Sequence, residues 1–318
     1  MTSPAPLRYD VWPTVIANLD MYMRFQLFER CPGIRHIESV CPAKIDTLCF
    51  NLTNITMGKI SFQLDARYRS ITISEDKPKK LEFKTQPSSE FEALKRMAMK
   101  LLGRYSNPVI VGKLSVSLFT HGFLVTMEST YLPPTLKITS RSLNVTTLDR
   151  NSEILRYLTP DSFPLENLQL DTAIEWGLDY DCPIITTAKN LKIECEPRVL
   201  YNIKIHKVQV ILWNISLFNP ITLIATWRRE QAEVGRHFRL NGFNLNETRR
   251  VLDVVKEFPG VVKGTREDDS ESSVFPECFT LEISDEKKLI VFGKQYLSDG
   301  YSCYEVHFKI AQILNDIA

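Results

Sequence analysis

Only 12 glycines occur among 318 residues. That scarcity leaves few tight backbone turns of the kind that cradle a phosphate, and the motifs built on them are missing. No G-x-x-x-x-G-K-[ST] loop is present, since Gly112-Lys113 follows Gly103 at the wrong distance. No G-x-S-x-G elbow occurs either; Gly300-Tyr301-Ser302 lacks the second glycine. The five histidines, His36, His121, His206, His237 and His307, stand singly in the sequence, without the helical spacing of a zinc hydrolase. The expectation is a protein that is not an enzyme, with no catalytic residue, no cofactor and no metal. An unrecognised enzyme would need a dispersed site, drawn from residues such as His121, His206, His237, Cys182 and Cys195.

Charge of one sign is also missing. Lys and Arg total 39 and Asp and Glu 38, for a net charge of +1. Such a balance exerts no long-range pull on nucleic acid or on an anionic membrane. Seven cysteines make an odd count without a single C-x-x-C pair, the scattered thiols of a reducing compartment rather than a disulfide framework. The opening MTSPAPLRYD has no basic flank followed by an apolar run, so it does not read as a secretory leader. The expected location is cytoplasmic or nuclear. On that reading the five N-x-[ST] sequons, at Asn51, Asn54, Asn144, Asn214 and Asn246, are turn and cap residues. One uncharged run, Val208 to Trp227, is long enough for a membrane span. It holds Gln209, Asn214, Asn219 and Pro220, and Val208, Val210 and Leu212 alternate. A strand followed by a helix beginning at Pro220 fits better, and no membrane contact is expected.

What the sequence does contain begins with two short helical patterns. Asp10 stands where it could cap a helix carrying Val11, Trp12, Val15, Ile16 and Leu19. Asp20 could cap a second, with Met23, Leu27 and Phe28 inward and Pro32 as its stop. Gly33 to Val40 has room for a third. Strand-like runs follow over Lys44–Leu52 and Ile55–Leu64, joined through Thr53-Asn54 or Gly58. Residues 74–90 are polar and hold two prolines, the composition of a linker. Ser89 and Glu92 then form a capping-box pattern before a helix with Phe91, Leu94, Ala98 and Leu101 on one face, closed by Gly103.

Beyond that helix a coarse repeat emerges. Leu143, Leu168, Leu191 and Leu212 head similar strand-like segments, and two of these read L-x-x-L-x-L or nearly so. Helical intervals lie between some of them, including one with Pro183 in its first turn. Units of this kind stack side by side, so the segments 142–148, Leu168–Leu170, Leu191–Ile193 and 208–217 are predicted to be parallel neighbours. A further helix is predicted over Glu247–Phe258, capped by Asn246 and ended by Pro259-Gly260. After the acidic run TREDDSESS, three strands that could cap a sheet edge close the chain.

The segments LRYDVWPTVIANL, RFQLFERCPGI, PAKIDTLCF, FEALKRMAMKLLGRYSNPVIVGKLSV, FPLENLQLD, AKNLKIE and LIATWRREQAEVGRHFRLNGFN occur in this order. In spacing and order they resemble the large nematode F-box families that carry an F-box-associated domain, the F-box C proteins among them. The match is to a degenerate F-box: Tyr9-Asp10 replaces the usual Leu-Pro, and Ile34, His36 and Ile37 stand where a tryptophan is common.

The resemblance implies a mixed fold, α+β to α/β. Degenerate F-box-like helices would span residues 1–43, a small β hairpin or meander 44–73, and a polar linker 74–90. An irregular leucine-rich-repeat-like strand–helix body with a C-terminal β cap would fill 91–318. It also implies a protein-interaction function, the substrate-receptor subunit of a cullin–RING ubiquitin ligase. The partners would then be a Skp-type adaptor with its cullin complex, and an unknown protein target. Leu7, Val15, Ile16, Leu19, Leu27 and Phe28 would be the adaptor anchors. The alternatives are a structural or binding protein without a ligase link, an enzyme, or a membrane-associated protein.

Overall fold

The computed structural model describes residues 9–51, 53–65, 67, 70–74, 79–82, 87–117, 119–120, 123–124, 132–145, 153–170, 182–195, 207–212, 218–265, 274–298 and 300–313. The chain divides into two compact units. One comprises Met1–Thr146 with Arg150–Leu165, the other Thr147–Asp149 with Glu166–Ala318. The division falls near residue 165.

The first unit opens with α1 (Trp12–Ala17), α2 (Met21–Arg30) and α3 (Arg35–Val40). Asp20 caps α2, its Oδ1 accepting the Met23 N–H at 2.8 Å. Asp10 makes no such bond to α1; it lies in a 3₁₀ turn over Tyr9–Val11, and Val11 holds the cap position. Met23 is not inward but 43% exposed, and Met21, Tyr22, Arg24 and Phe25 form the buried face instead. The buried stripe thus starts at the first residue of the helix, and Arg24 belongs to it, which apolar periodicity cannot foresee.

The helices precede a meander of β1 (Lys44–Asn51), β2 (Asn54–Met57), β3 (Ile60–Leu64), β4 (Ser70–Ser74) and β5 (Lys79–Glu82), each antiparallel to the next. The two-residue turn between β2 and β3 places Gly58 at φ +62°, a conformation costly for residues with a Cβ. The strand β5 corrects the expectation of a plain linker over residues 74–90. An edge strand has one partner and needs no apolar alternation, so Lys-Lys-Leu-Glu reads as loop.

Helix α4 (Glu90–Leu102) follows, and β6 (Val109–Ser117) runs parallel to β1 on its other side. Ser89 caps α4 by accepting the Glu92 N–H, and Glu92 Oε2 accepts from the N–H and hydroxyl of Ser88. Those bonds, with Arg96 one turn on, hold the Glu92 carboxyl down at about 2. Leu94, Ala98 and Leu101 are buried as their spacing requires, whereas Phe91 is 41% exposed. A separate ribbon pairs β7 (Phe119–Thr120) with β8 (Phe123–Leu124). Then β9 (Ile138–Ser140) and β10 (Ser142–Val145) both run parallel to β6.

Strands β1 and β6 and the β9–β10 pair change face at one level. Burial passes from Ile45 to Leu48 in β1, from Val111 to Leu114 in β6, and from Ser140 to Leu143 across the break between β9 and β10. Asp46, Gly112 and Arg141 mark the crease. A Cβ on Gly112 would lie 2.6 Å from the Asp46 carbonyl oxygen, so the close approach of β6 to β1 requires glycine.

In the second unit β11 (Asn167–Leu170), β12 (Asn190–Cys195), β13 (Lys207–Leu212) and β14 (His237–Phe243) are parallel neighbours in that order. Leu168, Leu191, Val208 and Phe238 share one level, and Leu170, Ile193, Val210 and Leu240 the next but one. All eight are at most 2% exposed. The parallel order of the predicted segments in this unit is therefore present. Leu191 pairs with Val208 rather than lining up with Leu212, because alternation makes Val208, Val210 and Leu212 equally eligible and only pairing selects the register. The run read either as strand and helix or as a membrane span is β13 followed by α6 (Pro220–Arg229), capped by Asn219. Among the described residues no helix is long and apolar enough to cross a membrane.

A short α5 (Pro183–Thr187) precedes β12, and α7 (Leu245–Lys256) follows β14. The cap of α7 is Asn244, not Asn246; Asn244 and Glu247 exchange both capping-box bonds at 2.9 Å. β15 (Val262–Thr265), β16 (Glu277–Ser284), β17 (Lys287–Ser298) and β18 (Tyr301–Gln312) form an antiparallel meander, and β18 lies antiparallel against β14.

Candidate functional site

The parallel strands of the second unit present two unlike faces. Phe238 on β14 meets the Trp227 indole of α6 edge-on, with centroids 4.8 Å apart, and Phe308 on β18 meets Phe218 at 6.1 Å. Helix α6 thus covers the apolar face. Alternate residues project the other way, and directly paired residues share a face. One level of that second face carries Lys192, Gln209, Arg239, His307 and Phe292 across β12, β13, β14, β18 and β17. The level beside it carries Asn190, Lys207, His237, Lys309 and Ile290. Asn190, Lys207, Arg239 and Lys309 are exposed; Lys192, Gln209 and His237 are half-buried.

A hydrogen-bonded chain crosses this face where β14 meets β18. His237 Nε2 lies 3.0 Å from His307 Nδ1, and His307 Nε2 lies 3.0 Å from Glu305 Oε2. If His307 donates its Nε2–H to Glu305, its Nδ1 is an acceptor and receives the Nε2–H of His237. The Phe292 ring stacks on His307 at 4.6 Å and 12°. Nearby, Asn241 donates to the Tyr296 hydroxyl at 3.1 Å.

Burial, then the neighbouring His307, Arg239 and Lys309, push His237 down to about 4. Burial alone would raise the Glu305 carboxyl. The bond from His307, the charges of His307 and Arg239 and the Asn241 amide outweigh it, and the net shift is downward. The unfolded chain takes up a proton at His237 near its ordinary 6.5, and the folded chain only near 4. Stability from this ring is therefore complete above that window and lost as pH falls through it, on the order of 2 kcal/mol after discounting for partial exposure. Urea midpoints at pH 7 and pH 4.5 check this: His237→Gln should lose clearly less stability over the interval than the parent. Equal losses would contradict the assignment.

No spacing in the sequence reveals the chain, since its histidines are 70 residues apart and only the β14–β18 pairing unites them. The one available signal was alternation in Tyr-Glu-Val-His-Phe-Lys, which puts Glu305 and His307 on one face of a strand. Of the dispersed candidates, Cys182 is buried beside α5, while His121 and His206 lie outside the described residues. Among the described residues no three His, Cys, Asp or Glu side chains converge with the geometry of a metal site. A cleft of about 650 Å³ lies elsewhere, lined by Ile221 of α6, by Arg249, Arg250, Asp253 and Val254 of α7 and by Phe258 just beyond it.

The anchor candidates among the described residues differ in burial. Ile16 is fully buried, packed with Ile37, Cys41 and Trp12, so it has no surface to offer a partner. Val15, Leu19, Leu27 and Phe28 are half-buried, and Leu7 lies outside the described residues. The Arg104 and Arg35 guanidinium groups stand 4.9 and 5.4 Å from the Phe28 ring centroid. One face of helix α2 packs within its own unit: Phe25 meets Phe62 of β3 edge-on at 5.7 Å, and Glu29 pairs with Lys100 of α4 at 3.2 Å.

Residues 91–244, from α4 to the end of β14, match the model of a family described as a domain of unknown function (DUF3557). The match spans a little under half of the chain; it includes His237 and Arg239 and stops before Glu305 and His307. No curated protein matches the sequence.

Proposed function

We propose that the chain is a protein-interaction module, and that the polar face of β12, β13, β14 and β18, opposite α6, is its contact surface. The observation that supports this is the division of the second unit's sheet into one buried apolar face and one bearing exposed Asn190, Lys207, Arg239 and Lys309. A face studded with long polar side chains suits recognition, because specificity resides in such groups while the rigid sheet holds their spacing. In its specific form, drawn from the F-box resemblance, the module is the substrate receptor of a cullin–RING ubiquitin ligase. The opening helices would then meet a Skp-type adaptor through half-buried Val15, Leu19, Leu27 and Phe28. Purification of the tagged full chain together with adaptor and cullin tests this form. Recovery of both supports it, and recovery of neither by folded protein rejects it. The burial of Ile16 and Arg24 favours a second reading, in which the helices only complete the core and the protein binds partners without a ligase link.

A further inference from the structure

We infer that the contact face of the second unit takes an acidic, extended polypeptide segment, with carboxylates falling on Lys192, Lys207, Arg239 and Lys309. The inference rests on the reading of this face as the protein-contact surface and specifies its ligand. Charge is the first argument. The chain as a whole carries 39 basic and 38 acidic residues. On these two adjacent levels, from β12 to β17, four cations and two histidines stand with no carboxylate among them. Glu194 and Glu305 belong to the next level, and Glu305 is 7% exposed and committed to His307. Segregating like charges on one face of a nearly neutral protein costs stability, and an anionic partner relieves that repulsion.

The chemistry of the surrounding groups favours a polypeptide over a nucleic acid. Single-stranded nucleic acid needs open aromatic faces on which bases stack. The aromatic rings on these levels are turned to each other, Phe292 lying flat on His307 at 4.6 Å. The remaining positions include the amides Gln209, whose Oε1 accepts from Arg239 at 3.4 Å, and Asn190, whose Nδ2 donates to the Glu166 carbonyl at 2.9 Å and to Asn167 Oδ1 at 3.3 Å. The Gln209 NH2 group can donate to a peptide backbone and the Asn190 Oδ1 can accept from one. Spacing agrees. Lys192 and Arg239 are separated by one intervening strand, as are Lys207 and Lys309, so each pair is rooted about 10 Å apart. A polyproline-II segment repeats every three residues, about 9 Å, so an acid at every third position presents its carboxylates along one edge at nearly the same interval.

The probe is a fluorescein-labelled (Glu-Pro-Pro)4 peptide, titrated with the full chain at 0.15 M salt and followed by anisotropy. Saturable binding is expected, weakened about tenfold or more in Lys207→Glu/Arg239→Glu and clearly weakened in Lys207→Gln/Lys309→Gln. The second variant only neutralises exposed side chains and guards against misfolding in the first. Arg249→Glu/Arg250→Glu, on α7, should bind within about twofold of the parent. An oligothymidylate of equal charge should bind more weakly than the peptide. Absence of peptide binding, equal loss in the α7 variant, no loss in either face variant, or tighter binding of the oligothymidylate overturns the inference. Adaptor recovery does not use this face. Peptide binding that fails while adaptor recovery persists rejects the acidic ligand alone, and the converse rejects the ligase link alone.

Discussion

Replacing Glu38 by alanine is expected to destabilise the first unit by about 3–5 kcal/mol, the usual consequence of stranding a buried charge. The Glu38 side chain is 0% exposed and Arg24 1%. Arg24 Nε lies 3.3 Å from Glu38 Oε1, and Arg104 Nε, itself nearly buried, lies 3.5 Å from Oε2. One carboxylate thus balances two guanidinium groups that come from α2 and from the turn after α4. Arg24 also donates to the carbonyls of Pro42 at 2.8 Å, Cys41 at 2.9 Å and Glu38 at 3.2 Å, closing the C-terminal end of α3. Arg104 has fewer hydrogen bonds. It donates to the Tyr105 hydroxyl at 2.8 Å and lies within 5.6 Å of the Phe25, Phe28 and Tyr105 ring centroids, whose faces attract a cation. Burial pushes the Tyr105 phenol up to about 12, so it stays neutral there. Loss of Glu38 would leave two cations in the core with only rings and carbonyls around them. Urea unfolding of Glu38→Ala against the parent measures the cost, and a loss below about 1 kcal/mol would show that the triad is not structural.

The second large effect concerns the repeat-like strands. Leu191→Asp should cost several kcal/mol, because position 191 is 1% exposed between Leu168 and Val208 in the middle of the parallel run. Lys192→Asp, one residue along and on the other face, should cost less than about 1 kcal/mol. The contrast tests the assigned faces more sharply than either variant alone, since a one-residue slip in register would exchange the two results. Thermal or urea midpoints of both variants decide it.

Local and periodic features carried most of what could be read from the chain. Asp20, Ser89 and Pro183 mark helix starts because a cap acts within three residues. Leu168, Leu170, Leu191 and Ile193 declare a buried strand face through a period of two. Some local signals are present but easily passed over: Asn246 reads as the cap of α7, although Asn244 has Glu247 at the third helical position to return the bond. The polarity of residues 74–90 hid β5, since an edge strand is specified by its neighbour β4 rather than by its own alternation.

Of the candidate contact face, alternation in the strand-like segments around Leu191 and Val208 leaves Lys192 and Gln209 on the side away from Leu191, Ile193, Val208 and Val210, while the strand that carries Arg239 has no such signature in the sequence reading. Strand order decided that these separate stripes adjoin, and the antiparallel return of β18 against β14 brought Glu305 and His307 to His237. The same holds for the opening helices. The spacing of their apolar residues made them amphipathic, and tertiary packing decided that Ile16 and Arg24 face inward. The physical reason is range: caps, turns and face periodicity are set by interactions over a few residues, which one segment contains in full. Register, charge pairing and burial depend on groups tens of residues away, and the position of those groups exists only once the sheets have formed.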